Sequence, residues 1–92
     1  MPFDYEIERY LSQCEHERRL DAKTVRAYRF DLEQYRNWCA QDKDPFSRET
    51  IRMYLSHLNE RYAPASVKRK LVAVRALMSW MADEELIERS PV

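Results

Sequence analysis

The chain has 92 residues, of which 45% are hydrophobic and 35% charged, the size and composition of one globular domain with a single modest core. Because it contains no glycine, phosphate-binding glycine loops, dinucleotide-binding fingerprints and nucleophile elbows are excluded. No apolar run approaches the roughly 18 residues of a membrane span, and the N-terminus lacks a signal-peptide pattern, so we expect a cytoplasmic protein with no membrane partner.

The net charge is zero, but the two signs are separated along the chain. Residues 1–17 and 83–89 are mainly acidic. Residues 18–36 hold six basic residues against three acidic ones, and residues 64–76 hold four basic residues and no acidic one. The neutral total therefore conceals two basic segments, a distribution that favours a nucleic-acid partner.

Two amphipathic helices are predicted in the first half of the chain. The first spans about residues 3–18, and its apolar residues recur at spacings of three and four while its remaining face is acidic. These apolar positions are Phe3, Ile7, Tyr10, Leu11 and Cys14. The second helix begins after the N-cap residue Asp21 and continues to about residue 40. Its apolar stripe comprises Val25, Tyr28, Leu32, Tyr35 and Cys39, with Trp38 beside it, and the basic residues Lys23, Arg26, Arg29 and Arg36 lie largely off that stripe.

Two more helices and a short C-terminal segment are predicted to follow the break at Pro45. The third helix begins after Ser47 and ends near residue 60, with its apolar stripe at Ile51, Tyr54, Leu55 and Leu58. The fourth helix begins at Pro64. Its core-facing residues are predicted to be Val67, Leu71, Val74, Met78 and Met81, together with Leu77. In the tail, residues 84–92, Leu86 and Ile87 form a small apolar tether, and Ser90-Pro91 is typical of a linker.

No catalytic or metal-binding constellation is found in the sequence. The two histidines, His16 and His57, belong to no metal-ligand array, and the neighbouring carboxylates are better explained as solvated surface. Cys14 and Cys39 are expected to be reduced core residues, with a disulfide as the minor alternative. We therefore expect no metal, no small-molecule cofactor and no enzyme activity in this fragment.

The fourth helix carries the most informative surface pattern. Its basic and small residues are predicted to lie away from the buried stripe: Ser66, Lys68, Arg69, Val72, Ala73, Arg75 and Ala76. Small side chains let a helix approach the major groove, where Lys and Arg reach phosphates and Arg reads guanine. The similar stripe of Lys23, Arg26 and Arg29 on the second helix favours a DNA clamp over a merely solvated face. A helical protein-interaction module, which would present an exposed apolar patch, is the alternative from a different functional class.

Three segments resemble one known family. The run from Leu20 to Leu32, LDAKTVRAYRFDL, followed by Trp38, is similar to the second helix of the core-binding domain of tyrosine recombinases, or phage integrases. The run SVKRKLVAVRALMSW from Ser66 to Trp80 resembles that domain's fourth helix. The final ERSPV resembles the linker to the catalytic domain, although Ser90 stands where Asn is more usual. The likeness is strongest to the bacterial Xer and the phage or integron integrase branch.

The resemblance implies an all-α, SAM-like bundle that forms half of a clamp around duplex DNA, with helices two and four against the major groove. It implies a core-binding domain at residues 1–89, a linker beginning at residues 90–92, and catalytic residues in a second domain after Val92. Its partners would be double-stranded DNA and, in the full-length enzyme, other recombinase protomers. Combined with the basic stripe, it predicts DNA contacts at Lys23, Thr24, Arg26, Arg29, Ser66, Lys68, Arg69 and Arg75.

Overall fold

The computed structural model describes residues 3–40 and 42–87, which form an all-α bundle of four helices. The helices are α1 (Asp4–His16), α2 (Ala22–Cys39), α3 (Arg48–Arg61) and α4 (Pro64–Asp83). The predicted number and order of helices are confirmed, although α1 ends two residues earlier than predicted, at His16. The predicted Ser90-Pro91 linker lies outside the described residues.

Local side-chain chemistry explains where two of the helices begin. The Asp21 carboxylate accepts a hydrogen bond from the Thr24 amide at 2.7 Å, as predicted for an N-cap residue. This hydrogen bond stabilises the ionised carboxylate and lowers the pKa of Asp21. Ser47 accepts from the amide of Glu49 at 3.2 Å and so caps α3.

The helix ends show how the chain turns without glycine. Arg19 follows α1, Ala40 follows α2 and Glu85 follows α4, and all three have positive φ angles, of 55°, 49° and 59°. Glycine is the residue that adopts this region without steric cost, and it commonly stands just after a helix. The structure therefore places three ordinary side chains in a strained backbone region.

The core lies between α4 and the other three helices. α4 packs against all of them, α2 also packs against α1, and the predicted inward positions of α1 and α4 are all buried. Tyr10, Tyr35 and Tyr54 are fully enclosed, whereas Tyr28 is only partly buried at the edge of the core. Ile87 packs against the core as the predicted tether, while Leu86 stays exposed.

Two predictions for α4 were wrong or incomplete. Ala73 was expected away from the buried stripe, but it is 0% exposed, because its helix face also packs against neighbouring helices. Trp80, which was left out of the stripe, is buried as well, beside Tyr10 of α1. The buried surface of α4 is therefore wider than a single stripe, and its exposed face is correspondingly narrow.

Candidate nucleic-acid interface

The exposed face of α4 carries two cations separated by one apolar side chain. Lys68, Val72 and Arg75 follow one another at spacings of four and three residues, so they share one side of the helix, and all three are exposed. They line a shallow groove of about 300 Å³ together with Asn59 near the end of α3. Among the residues that line this groove, none is acidic, so its rim is positively charged.

A buried carboxylate connects α4 to α2. Asp31 is 0% exposed and accepts two hydrogen bonds from the guanidinium of Arg69, from Nε to Oδ2 and from Nη2 to Oδ1, each at 3.1 Å. The ammonium of Lys70, itself 3% exposed, donates to Oδ1 of the same carboxylate at 3.1 Å. The predicted contact residue Arg69 is thus an anchor between the two helices, while 53% of its side chain remains accessible.

Lys70 is enclosed by further groups from α2 and from the α3–α4 connection. Its Nζ donates to Oε1 of Gln34 at 2.7 Å and lies 5.0 Å and 4.9 Å from the ring centroids of Phe30 and Tyr62. Gln34 in turn donates to the Tyr62 hydroxyl at 2.8 Å. These contacts satisfy the buried ammonium with an anion, an amide oxygen and two aromatic faces.

The sequence assigns no site role to Gln34 or Lys70, and Asp31 belongs only to the run LDAKTVRAYRFDL that carries the family resemblance. One signal was available for Lys70, since it stands three residues after Val67 and four before Val74, both of which are buried. A lysine at an inward position requires a buried partner. That partner is 39 residues away in the chain, so periodicity alone does not identify it.

The predicted contacts on α2 point in different directions. Lys23 and Arg26 are exposed, and Thr24 is partly buried in the first turn. Arg29 is instead turned towards α1, where it forms an ion pair with Glu8, and it also lies 3.9 Å from Glu33. The hydrogen bond to Glu8 raises the pKa of the Arg29 guanidinium.

The acidic face of α1 pairs with several of the basic residues. Besides the pair between Arg29 and Glu8, Asp4 of α1 forms an ion pair with Arg36 of α2. The basic segment predicted at residues 18–36 is therefore divided: its α1-facing cations are paired, and Lys23 and Arg26 lie on the exposed side. Ser66, the remaining predicted contact, is partly buried in the first turn of α4.

A second groove lies between α1 and the end of α4. It encloses about 510 Å³, and its lining includes Tyr5, Glu8, Arg9, Trp80 and Glu84. Arg9 bridges the two helices through a 3.3 Å ion pair with Glu84, and its guanidinium lies 5.3 Å from the Trp80 ring centroid. Tyr5 is 70% exposed at this groove. The groove therefore combines an accessible aromatic ring with charged side chains of both signs.

Comparison with known proteins identifies relatives of the whole bundle. The family model described as phage integrase, N-terminal SAM-like domain, matches residues 7–85. The chain is 31% identical over 86 residues to a tyrosine recombinase of Agathobacter rectalis, covering 92% of this chain and 28% of the relative. It is 34% identical over 89 residues to the tyrosine recombinase XerD of Vibrio cholerae, covering 92% of this chain and 30% of the relative. The chain thus spans less than a third of the length of these relatives.

No solved structure matches the chain significantly. Within residues 3–40 and 42–87, no helix has the length and hydropathy needed to cross a membrane.

Proposed function

The chain belongs to the family of phage integrase N-terminal SAM-like domains, and we propose that it grips duplex DNA of a recombination site through α2 and α4. The observation that carries the proposal is the exposed face of α4, where Lys68 and Arg75 border a groove that no acidic residue lines. Because the two cations lie on one side of α4, they can reach phosphates when this face of the helix lies against the major groove.

The proposal divides the eight predicted contacts by their surroundings. Lys23, Arg26, Lys68 and Arg75 have exposed side chains and are assigned to DNA. Arg69 is assigned a double role, because its guanidinium is held by Asp31 yet stays half exposed at the α2–α4 contact. The remaining three have weaker support: Thr24 and Ser66 are partly buried, and Arg29 is paired with Glu8.

Catalysis is assigned to the part of a full-length recombinase that this chain does not cover. The relatives named tyrosine recombinases are more than three times as long as the matched region. In the proposed division of labour this domain binds and orients the duplex, and a second domain cuts and rejoins it.

Fluorescence anisotropy with a labelled duplex at several salt concentrations tests the DNA proposal. We expect a dissociation constant in the micromolar range or weaker. The logarithm of the association constant should fall linearly with the logarithm of salt concentration. Each phosphate contact contributes about 0.9 to the steepness of this fall. The double variant Lys68→Ala with Arg75→Ala should therefore make the salt dependence shallower by roughly 1.8. The matched control is Arg9→Ala with Arg18→Ala, which removes the same charge from the α1 side of the bundle.

Equal slopes for the two double variants would contradict the proposal, because the loss of charge alone would then explain the effect. Undetectable binding of the unaltered chain at low salt would also contradict it. Circular dichroism of each variant establishes that the helices are retained before binding is compared.

A second candidate function is favoured by the groove between α1 and α4. The exposed Tyr5 and the guanidinium of Arg9, 5.9 Å from the Tyr5 ring centroid, belong to the residue types that are enriched in protein contact surfaces. We assign this groove to another protomer of the full-length recombinase. Sedimentation of that protein on DNA, with and without Tyr5→Ala, tests the assignment, and unchanged assembly of the variant would refute it.

A further inference from the structure

On the exposed face of α4, the apolar side chain of Val72 lies between the cations Lys68 and Arg75. It is 45% exposed, with Lys68 one turn before it and Arg75 one turn after it. A valine that is 45% exposed gains only part of the free energy of burial, and valine has a lower helix propensity than alanine or leucine. Its accessible apolar surface in the middle of a charged face is available to a ligand that the two cations also bind.

The groove beside Val72 supplies a second chemical group. Val67 and Leu71 form its apolar floor, and the exposed residue Asn59 of α3 lines the same space. An asparagine amide presents a donor and an acceptor side by side. The groove thus combines an apolar surface, one amide and a positive rim within a single small site.

These groups match one base pair in the major groove of DNA. The C5 methyl group of thymine is recognised by apolar side chains, and the N6 and N7 atoms of adenine are recognised by the bidentate amide of asparagine or glutamine. The positive rim formed by Lys68 and Arg75 suits the flanking phosphates, so charge complementarity selects duplex DNA as the occupant. Duplex DNA supplies phosphates, a methyl group and an adenine edge together, so it offers a partner to each of these groups.

We propose, on the basis of the DNA-binding function proposed above, that Val72 and Asn59 recognise an A·T base pair. Val72 contacts the thymine methyl group and Asn59 pairs with the adenine edge, while Lys68 and Arg75 hold the backbone on either side. Val72 and Asn59 thereby determine sequence preference, and the two cations determine affinity.

The experiment starts with selection of duplexes from a random pool by the 92-residue chain. In the selected duplex, each thymine is then replaced in turn by deoxyuridine, which removes only the methyl group. Loss of one methyl contact should weaken binding about fourfold at one position. Val72→Ala should bind the thymine and uracil duplexes equally, and Asn59→Ala should lose about tenfold in preference for adenine at the paired position.

Met53→Ala, which removes a side chain of α3 that is 42% exposed, is the matched control and should keep the fourfold difference. If the chain binds DNA with the expected salt dependence but selects no A·T pair, or does not distinguish thymine from uracil, the inference is overturned and the DNA-binding function stands. If no duplex is bound at low salt, both fail. A thymine preference that survives Val72→Ala also overturns the assignment.

Discussion

The carboxylate of Asp31 offers the sharpest test of how α2 and α4 are held together. Replacing it by asparagine keeps the shape of the side chain and removes its charge. The ammonium of Lys70, 3% exposed, then lies buried with no negative charge beside it, and its partners are neutral: the introduced amide, Gln34 and the two aromatic rings. We expect Asp31→Asn to destabilise the domain strongly.

The magnitude follows from the burial of the two partners. Removing one member of a buried ion pair costs about 3–5 kcal/mol, because the other charge is left uncompensated. The contacts of Lys70 with Gln34 and the rings place the expected loss near the lower end, about 3 kcal/mol. Arg69 adds little to this value because half of its side chain is accessible to water. The total free energy of unfolding of a domain this size is about 5–14 kcal/mol, so a large share is lost.

Urea denaturation followed by circular dichroism and by tryptophan fluorescence measures the change. The control is Asp42→Asn, since Asp42 is 75% exposed and its ion pair with Lys43 spans 3.5 Å; its loss should cost under about 1 kcal/mol. Adding Lys70→Met to Asp31→Asn removes the unpaired charge and should recover most of the stability. Equal stabilities of the Asp31 and Asp42 variants, or a double variant no more stable than Asp31→Asn alone, would refute the reasoning.

Two further predictions concern the core and the backbone. The buried hydroxyl of Tyr35 donates to the carbonyl oxygen of Pro45 at 2.5 Å, so Tyr35→Phe should cost about 1–3 kcal/mol in urea denaturation, because that carbonyl loses its donor. Tyr54→Phe is the matched control and should be near neutral, since its buried hydroxyl has no hydrogen-bond partner among the described residues; similar losses for both would contradict the prediction. Ala40, which follows α2, has a positive φ angle of 49°, a region that glycine adopts without steric cost. Ala40→Gly should therefore raise the free energy of unfolding by about 1 kcal/mol. A lower melting temperature of the variant would show that the turn is unstrained.

Helical periodicity predicted most of the fold because each helix buries one face. The positions three and four residues apart in α1, from Phe3 to Cys14, are all in the core, and the N-cap at Asp21 follows from the chemistry of a single side chain. Such features depend on residues close together in the chain. The sequence alone therefore predicted the number and order of the helices and most of their inward positions.

The candidate site was harder to predict because its arrangement depends on contacts between helices. Arg29 and Arg26 are equivalent in the sequence pattern, yet only Arg29 is paired with Glu8 across the α1–α2 contact. The pattern predicts Ala73 as a small surface residue, but packing between helices buries it. A basic stripe on one helix gives the positions of charges, but the neighbouring helix decides which of them face water.

The acidic helix α1 explains how a chain of zero net charge presents a basic face. Ion pairs with Glu8 and Asp4 neutralise Arg29 and Arg36 on the α1 side of α2, whereas the α4 groove between Lys68 and Arg75 is lined by no acidic residue in the described part of the chain. Because screening limits exposed charges to interactions within about 10 Å, a phosphate at that groove responds to the nearby cations more than to the total charge. The proposed DNA grip thus requires a separation of charge within the bundle, and removing α1 acids should affect DNA affinity less than removing α4 cations.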